Sequence, residues 1–325
     1  MLNAFLSGTQ TQTSVEGGYA FLDISNLAMA AVFAQNAAVQ YVPEGTMIPE
    51  SEKQYKQEMS LPFVRFLILN TIAKNVKTFK QEYPNIVLCF DNAEGGYWRR
   101  QRVPYYKQNR KEDRAESTFP FECYFRHLAV VKQELKDVFP YIILDIPSAE
   151  ADDCIAVSVK HLSLSGKKTL IISADGDFKQ LQVYDNVKQW SPTQKKEIKV
   201  TKHEAQIEKM TKILKGDRKD NVSPMRVRSN YWHTRVEGER APSIRKQFIE
   251  ECVDAGDNVL DLLTEEEKPR FIENRLLIDF EYIDQEICDK IIETLENYKR
   301  NNRSKIQQYF MKTGNSNLLT RMGDF

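Results

Sequence analysis

The sequence predicts an α/β protein with a mostly parallel central sheet flanked by helices, a basic arch and a helical C-terminal region. Short apolar runs alternate with longer segments of helical spacing up to about residue 200, and this alternation is typical of βα units. Beyond residue 200 the pattern is mostly helical. We therefore divide the chain into a flexible tail at residues 1–18, a core at residues 19–200 and a helical region at residues 201–325.

The predicted strands are five short runs rich in branched and aromatic residues. They are YAFLDI (19–24), IVLCFD (86–91), YIILDI (141–146), TLIIS (169–173) and VKQW (187–190). Apolar residues recur at helical spacing after Ser60, Ser117 and Ser148, and Ser148 is a suitable N-cap. The stretch that follows the first strand, through Pro49, is interpreted as polar.

Composition excludes several classes of function. The chain has 325 residues, with 46 Lys and Arg against 46 Asp and Glu, so nucleic-acid binding requires a segregated basic face. Five scattered cysteines without a CxxC pair indicate a reducing compartment such as the cytoplasm. The four isolated histidines offer no zinc-ligand spacing, and no apolar run reaches the ~20 residues of a membrane span.

Carboxylates collect where the predicted strands end. In parallel sheets the carboxyl ends of the strands share one edge, so at least six carboxylates from four chain segments are expected there. Each acid alone has an ordinary explanation as a helix cap or an Asp-Gly turn, but two carboxylates at ~4 Å repel by about 4 kcal/mol at an effective dielectric near 20. A helix start stabilises one acid by only about 0.3–1 kcal/mol, so the sequence predicts a bound cation. The acids are Asp23, Asp91, Glu150, Asp152, Asp153, Asp175 and Asp177.

An all-oxygen ligand set favours Mg²⁺ or Mn²⁺ over zinc. Two such ions about 3.5–4 Å apart can hold a phosphodiester, one activating water and the other stabilising the leaving oxygen. The segment ILKGDRKDNV (213–222) adds Asp217 and Asp220, and residues 209–228 hold seven Lys and Arg against two acids. This segment is either a solvated charged turn or a phosphate-contacting loop.

The segment YWRRQRVPYYKQNRK (97–111) has six basic residues, four aromatics and no acid. It is either a solvated surface loop or a surface that stacks on unpaired bases and contacts phosphates. Because it follows a strand that ends in Asp91, we expect it to lie over the metal cluster as a mobile cap.

The motifs FLDIS, CFDNA, EADD, DGDF and GDRKDN, in this order, resemble those of the structure-specific 5′-nucleases, which comprise flap endonucleases and 5′→3′ exonucleases. Several longer segments are similar to the ribonuclease H branch of that family in T-even phages. They are GGYWRR, YYKQNR, ISADGDFKQL, KQWSP, TKILKGDRKDNV and TRVEGER. The likeness extends from about residue 19 to the C-terminus. It implies a PIN-like nuclease core, an arch at residues 92–116 and a helix–two-turns–helix DNA-binding element that begins at GDRKDN.

The resemblance also implies roles for individual residues. It assigns a first metal to Asp23, Asp91, Asp152 and Asp175, with support from Glu150, and a second metal to Asp177 and Asp220, with Asp217 beside them. Asp153 would be an outer ligand. Lys107 would meet the scissile phosphate, with Arg99 and Arg110 as further candidates. The other expected nucleic-acid contacts are Tyr97, Trp98, Arg100, Tyr106, Lys215, Arg218 and Lys219. The chain departs from many relatives after GDRKDN, where VSPMRVRSNYWHTRVEGE (222–239) replaces a Gly-rich turn.

The activity implied is Mg²⁺-dependent cleavage from the 5′ end of RNA–DNA hybrid, nicked, gapped or flapped duplex, with Mn²⁺ as a substitute. Its use would be RNA primer removal in phage lagging-strand replication, by a monomer with a single-stranded-DNA-binding protein and a sliding clamp as partners. Residues 250–289 carry 14 acids against three basic residues and are expected to face away from nucleic acid. Leu2, Phe5 and Leu6 form a candidate clamp-binding peptide.

Three alternatives remain open from the residues alone. A Toprim-type phosphotransfer domain also uses a Glu and a DxD motif, but it does not need Asp23, Asp91 or the GDRKDN segment. A PIN-type ribonuclease has similar chemistry but fits a chain with a basic arch poorly. A DNA-binding subunit without activity would use the acids only as helix caps and would bind no divalent ion.

Overall fold

The computed structural model describes residues 16–36, 40–42, 47, 55–57 and 59–325. The candidate clamp-binding peptide and nearly all of the predicted tail lie outside the described residues. Within the described part of the chain, no helix combines the length and apolar character needed to cross a membrane. The five cysteines form no disulfide there, and four of them are buried.

The central sheet has six strands in the order β5-β4-β1-β6-β7-β8, and all neighbours are parallel except the last pair. The five predicted strands are confirmed to within two residues at their ends. A separate parallel pair, β2 and β3, was not predicted. The strands are β1 (Tyr19–Asp23), β2 (Gln40–Val42), β3 (Tyr55–Gln57), β4 (Asn85–Cys89), β5 (Ile142–Leu144), β6 (Thr169–Ile172), β7 (Val187–Ser191) and β8 (Lys196–Ile198).

Helices flank the sheet and form the region after it. The α-helices of the described residues are α1 (Ile24–Asn36), α2 (Leu61–Phe79), α3 (Trp98–Arg102), α4 (Asn109–Glu116), α5 (Phe121–Val138), α6 (Ala151–Leu164), α7 (Lys202–Lys215), α8 (Tyr231–Thr234), α9 (Lys246–Ala255), α10 (Glu267–Ile278), α11 (Gln285–Asn297) and α12 (Lys305–Lys312). Short 3₁₀ segments include Gly176–Val183 after β6 and Arg218–Asp220 after α7. The predicted arch at 92–116 therefore contains two short helices, α3 and α4.

Two local predictions are wrong. The stretch after residue 24 was interpreted as polar, but Ile24–Asn36 form α1, because Ile24, Leu27, Ala28 and Val32 make one buried face at helical spacing. Ser148 is not the cap of α6. It has a left-handed backbone (φ 66°), and the cap is Glu150, whose side chain forms a reciprocal capping box with Asp153.

The sheet separates two apolar cores. Alternate residues of a strand point to opposite faces, so Ala20 and Leu22 pack with α1, α2 and α5, whereas Phe21 packs with α6. The helical region returns to both faces: α11 packs on α6, and α12 with the segment after it joins the core that contains α2 and α5. Packing therefore crosses the predicted boundary at residue 200, and that boundary stays a prediction.

A third core lies within the helical region and holds the base of the arch. Val103 and Tyr106, which follow α3, are buried there with Ile213 and Leu214 of α7 and with Val222. Because one cluster contains residues from both parts, the basic segment is anchored against the GDRKDN turn rather than standing free of the protein.

Candidate active site

Six of the nine predicted acids line one cavity of about 830 Å³ at the carboxyl ends of β1, β4 and β6. They come from the end of β1, the loop after β4, the start of α6 and the turn after β6, as the sheet-edge argument predicted. The six are Asp23, Asp91, Glu150, Asp152, Asp175 and Asp177. Asp217 and Asp220 line a narrow crevice that also includes Asp152 and Asp177.

Asp23 and Asp91 follow neighbouring strands and are held by the backbone around them. The Asp23 carboxylate accepts hydrogen bonds from the backbone N–H of Asn26 (3.1 Å) and the hydroxyl of Ser173 (3.4 Å). The Asp91 carboxylate accepts one from the backbone N–H of Ala151 (2.8 Å), which ties it to the start of α6. Asp91 is exposed to the cavity, yet desolvation of its carboxylate by the surrounding protein, and then the charge of Glu150, raise its pKa.

The first turn of α6 brings three carboxylates together, with ligand atoms of Glu150, Asp152 and Asp153 within 4.8 Å of one another. Burial, followed by the charge of Glu150, raises the pKa of Asp152 well above its usual range. Burial alone would also raise the pKa of Glu150, but Lys107 and Arg99 hold it below its ordinary value. The charge on this turn is therefore only partly neutralised by the protein.

Asp153 faces the interior rather than the cavity. It is fully buried, and one oxygen accepts hydrogen bonds from the indole N–H of Trp98 (2.8 Å) and the backbone N–H of Glu150 (3.1 Å). Its other oxygen is 2.7 Å from Nη1 of Arg99. Both oxygens are thus engaged inside the protein, and Asp153 holds α3 against α6. This position is consistent with the predicted role of an outer ligand, and that role stays a prediction.

Arg99 is also a structural residue in this arrangement. Only 1% of it is exposed, and its guanidinium contacts Glu150 (3.0 Å), Asp153 (2.7 Å) and the backbone carbonyl of Leu277 in α10 (3.1 Å). It therefore connects the base of the arch to both α6 and the helical region. Arg99 does not line the main cavity and reaches only the narrow crevice, so its contact with the substrate phosphate stays a prediction.

Trp98 and Tyr106 are buried as well, at 2% and 3% exposure. The hydroxyl of Tyr106 donates to Glu150 (3.1 Å), and its ring packs in the third core. A ring that stacks on a base must present an open face. The structure therefore contradicts the prediction that these two rings contact nucleotides.

Lys107 does line the cavity and has an unusual backbone. Its φ is 52°, and its backbone N–H donates to the carbonyl of Asp220 (2.9 Å). Its ammonium contacts the Glu150 carboxylate and lies 3.8 Å from Asp220. Burial alone would lower the pKa of Lys107, but the charge of Glu150 raises it well above its usual range. The left-handed turn thus points a permanent positive charge into the acid cluster.

The turn after β6 faces the GDRKDN turn across a second lysine. The ammonium of Lys212 contacts the carboxylate of Asp177 and lies 2.8 Å from Asp217. Asp175 accepts the backbone N–H of Asp177 (3.1 Å) and lies 3.4 Å from the ammonium of Lys219. Burial raises the pKa of Asp177 although Lys212 opposes it. The second acid group is therefore already bridged by a lysine, which the sequence did not indicate.

Asp220 belongs to the same crevice but has a different balance of charge. Arg110 contacts it at 2.6 Å. Burial alone would raise the pKa of Asp220, but Lys107 and then Arg110 hold it below its ordinary value. Asp220 therefore remains a carboxylate and fixes Arg110 at the edge of the cavity.

The residues predicted to contact nucleic acid differ in whether they line the cavity. Tyr97, Lys107, Arg110 and Lys219 line the cavity with the acids, and Arg218 lines an adjoining chamber. Arg100 donates to the backbone carbonyls of Tyr106 and Lys107 and supports the turn between them. Lys215 is exposed and lies outside both linings.

The sequence did not reveal an apolar wall in the same cavity. Phe33 of α1 and Phe121 and Phe125 of α5 line it, and Phe33 and Phe125 are 39% and 38% exposed. The guanidinium of Arg114 lies 5.1 Å from the Phe125 ring centre. Phenylalanines at 119, 121 and 125 were the available signal, but they were interpreted only as helix residues. The exposed aromatic rings of this cavity are thus phenylalanines together with the predicted Tyr97, and not Trp98 or Tyr106.

The residues present fit divalent metal ions. Burial first, and neighbouring carboxylates after it, raise the pKa values of Asp23, Asp91, Asp152 and Asp177, so a bound cation would stabilise their charged forms. All acidic groups of the cavity are carboxylates, and no histidine or cysteine lines it within the described residues. Hard divalent cations prefer this ligand set.

The titration of Asp23 gives a testable consequence. Burial, and then the charge of Asp91, raise its pKa from 3.8 to about 7. The folded state therefore keeps a proton that the unfolded state has lost, and this stabilisation is complete below pH ~4 and disappears as pH rises through ~7. In EDTA, we expect the unfolding free energy of the wild type to fall relative to Asp23→Asn by up to about 1.4 kcal/mol per pH unit in that window.

Urea unfolding of both proteins at pH 4–8 measures this difference. Saturating Mn²⁺ is expected to stabilise the wild type increasingly as pH rises, because the ion binds the carboxylate form. Parallel stability curves for the two proteins in EDTA would show that Asp23 titrates normally.

Comparisons with known proteins agree with this geometry. Residues 52–211 match the family described as 5′-3′ exonuclease, N-terminal resolvase-like domain, and residues 203–325 match T4 RNase H, C terminal. The ribonuclease H of Enterobacteria phage T4 is 51% identical over 271 residues, which cover 83% of this chain and 89% of that protein. The thermostable DNA polymerase I of Thermus thermophilus is 32% identical over 106 residues, 33% of this chain and 12% of its own length.

Solved structures share the fold at lower identity. The D15 protein of phage T5, co-crystallised with metal ions, superposes with a TM-score of 0.57 at 20% identity, over 86% of this chain and 98% of that one. A complex of the T5 D15 flap endonuclease with DNA and metal ions gives 0.55 at 19% identity, over 91% and 99%. From its identity to the T4 enzyme over most of both chains, this chain belongs to the 5′–3′ exonuclease family, the nucleases that include T4 ribonuclease H.

Proposed function

We propose that the protein is a Mg²⁺-dependent 5′-nuclease that hydrolyses phosphodiesters at or near the 5′ end of RNA–DNA hybrid, nicked, gapped or flapped duplex. The observation that carries this proposal is the cavity in which six carboxylates from four chain segments meet at one edge of the sheet. The T5 relatives were solved with metal ions, and one of them also with DNA. We infer that this chain binds both kinds of ligand.

The carboxylates divide into two groups that would hold two ions. Asp23, Asp91, Asp152 and Asp175 would hold the first, with Glu150 in support, and Asp177 with Asp220 and Asp217 would hold the second. Bound divalent ions in such sites acidify water and neutralise charge on a phosphodiester. The protein's own part is to place the carboxylates: Asp91 is fixed by the N–H of Ala151, and Asp175 by the N–H of Asp177.

Lys107 is the protein cation best placed to stabilise charge on the scissile phosphate. It lies at the boundary between the two acid groups, in contact with Glu150 and 3.8 Å from Asp220. Because its pKa is raised, it stays charged throughout the working pH range. A fixed positive group in a half-enclosed site stabilises developing charge more than it would in water.

The rest of the cavity suits an unpaired or frayed 5′ terminus. Arg110 and Lys219 lie at its edge, where they can contact phosphates, and the open rings of Phe33 and Phe125 can stack on bases. Phosphate contacts and stacking carry little base identity, so we expect selection by shape rather than by sequence.

Cleavage products on matched substrates test the proposal. With Mg²⁺ we expect short products from the 5′ end of 5′-labelled hybrid, nicked and flapped duplexes, and no products in EDTA. Cleavage from the 3′ end, or cleavage that survives EDTA, would contradict the proposed function. The ratio of products among the three substrates also gives the preference between RNA and DNA.

Replacing Lys107 by methionine tests its role in the chemical step. We expect kcat to fall by about 10²–10³-fold, as for loss of a charge-stabilising donor, while substrate affinity in EDTA changes less than about tenfold. Lys111→Met, at an exposed position of α4, is the matched control. Equal losses in affinity and in kcat/KM would make Lys107 a binding residue only.

The biological setting remains part of the proposal. RNA primer removal during phage lagging-strand synthesis would use this activity, in the host cytoplasm and by a monomer. The acidic stretch 250–289 would face away from nucleic acid and dock a single-stranded-DNA-binding protein. A sliding clamp would bind residues 1–10. Deleting these residues would then abolish the clamp-stimulated processivity, and the distribution of product lengths would change.

A further inference from the structure

The segment 222–239 helps to line a second chamber beside the candidate active site. This chamber has a volume of about 510 Å³, within the about 300–1,000 Å³ range of small-molecule sites. The arch helix α4, the GDRKDN turn and the short helix α8 supply its lining. The lining residues are Asn109, Asp113, Arg218, Lys219, Asn221, Trp232 and Arg235.

The chamber adjoins the acid-lined cavity. Asn109, Asp113 and Lys219 line both, so a strand could pass from one to the other beneath α4. Its charge is also suited to a polyanion, with Arg218, Lys219 and Arg235 against the one acid, Asp113. This charge balance is opposite to that of the cavity that holds the carboxylates.

Trp232 is the distinctive residue of the chamber. Its ring is partly exposed, and the guanidinium groups of Arg218 and Arg235 lie 5.7 and 5.5 Å from its centre. Its indole N–H donates to the backbone carbonyl of Val222 (2.9 Å), which fixes the orientation of the ring. A partly exposed aromatic ring beside arginines is an arrangement that binds single-stranded nucleic acid by stacking and by phosphate contacts.

The loop that carries Trp232 is held firmly. The buried Tyr231 donates its hydroxyl to the carbonyl of Glu239 (2.9 Å), and the Glu239 carboxylate pairs with Arg228. Arg228 also donates to the hydroxyl of Thr234 (2.7 Å). Because these contacts are internal to the segment 222–239, the ring is positioned before any ligand binds.

We propose that this chamber binds unpaired nucleotides of the strand that is cut, with a base stacked on Trp232 and its flanking phosphates on Arg218 and Arg235. A paired base inside a duplex has both faces covered by its neighbours, so an open indole ring selects an unpaired base. The inference rests on the proposed function, since it assigns the path of the strand next to the cleavage site.

Binding in EDTA, where no cleavage occurs, tests the inference through Trp232→Ala. The affinity is to be measured by fluorescence anisotropy for a nicked duplex and for the same duplex carrying an unpaired 5′ flap. Stacking is worth about 1–3 kcal/mol per base, so the variant should lose about 5- to 150-fold in affinity for the flap substrate. Its affinity for the nicked duplex should change less than twofold, and Trp232→Phe should retain flap binding.

His233→Ala, at the exposed neighbour in α8, is the matched control. Equal losses on both substrates would show a duplex contact, and unchanged flap binding would also overturn the inference. If Trp232→Ala does not fold, the exposed pair Arg218→Gln and Arg235→Gln replaces it, with the same selective loss expected. Wild-type cleavage of the nicked duplex with Mg²⁺ tests the proposed function separately, so either can fail alone.

Discussion

Replacing Asp152 by asparagine is expected to lower single-turnover cleavage of a 5′-labelled RNA–DNA hybrid by at least about 10³-fold, since a metal site supplies several kcal/mol of transition-state stabilisation. The substitution keeps the shape of the side chain and removes its charge. Asp152 lines both the main cavity and the adjoining crevice, so it lies where the two acid groups meet. Loss of this carboxylate should therefore affect both candidate ion positions.

The loss of turnover should result from weaker metal binding and not from unfolding of the variant. Titration calorimetry with Mn²⁺ is expected to show weaker or fewer binding events in the variant. Its unfolding free energy in EDTA should equal or exceed that of the wild type, because repulsion is relieved. Asp185→Asn, at a side chain that is 88% exposed, is the control with unchanged turnover. Wild-type turnover in Asp152→Asn would remove the cluster from the mechanism.

Asp91→Asn separates this mechanism from the Toprim-type alternative, which does not use that position. We expect it to lose activity as Asp152→Asn does, whereas the alternative leaves it active. A protein that binds DNA without cutting it would show no Mn²⁺ binding beyond weak surface association.

Replacing Arg99 by methionine is expected to lower the unfolding free energy by about 3–5 kcal/mol at pH 7 in EDTA, because removing one partner leaves buried charge uncompensated. The side chain is 1% exposed, forms ion pairs with Glu150 and Asp153, and donates a hydrogen bond to the carbonyl of Leu277. Urea unfolding measures the loss. The methionine side chain fills similar space, so the effect reports charge and hydrogen bonding more than volume.

Arg102→Met provides the comparison, because its pair with Asp284 is exposed and such pairs contribute only about 0–1 kcal/mol. A double variant, Arg99→Met with Asp153→Asn, should be less destabilised than the sum of the two single changes. If Arg99→Met folds with wild-type stability but loses turnover, Arg99 acts on substrate and the structural interpretation is wrong.

The sheet and the acids were predictable because they depend on local sequence and one general rule. Each strand is an apolar run, and parallel order brings Asp23, Asp91 and Asp175 to one edge. The start of α6 then adds Glu150 and Asp152. No long-range contact had to be known for this part of the site.

The orientation of the arch was not predictable in the same way. Aromatic and basic residues at 97–111 were interpreted as a solvated loop or a nucleic-acid surface, and their partial burial as the base of the arch was not predicted. The outcome depends on partners far along the chain: Arg99 bonds to Leu277, and Tyr106 packs beside Leu214. Likewise, Lys212 reaches Asp177 only after the helical region has folded against the turn that follows β6.

The packing of α12 and the segment after it has a consequence for synthesis on the ribosome. Phe310 and Phe325 lie in the same core as α2 and α5 and contact Phe139, so this core is completed by residues made more than a hundred positions later. A nascent chain that has not yet released them leaves apolar surface of α2 and α5 exposed to the cell and is prone to aggregate. Emerging polypeptides of this protein should therefore depend on chaperone protection until residues 305–325 have left the exit tunnel.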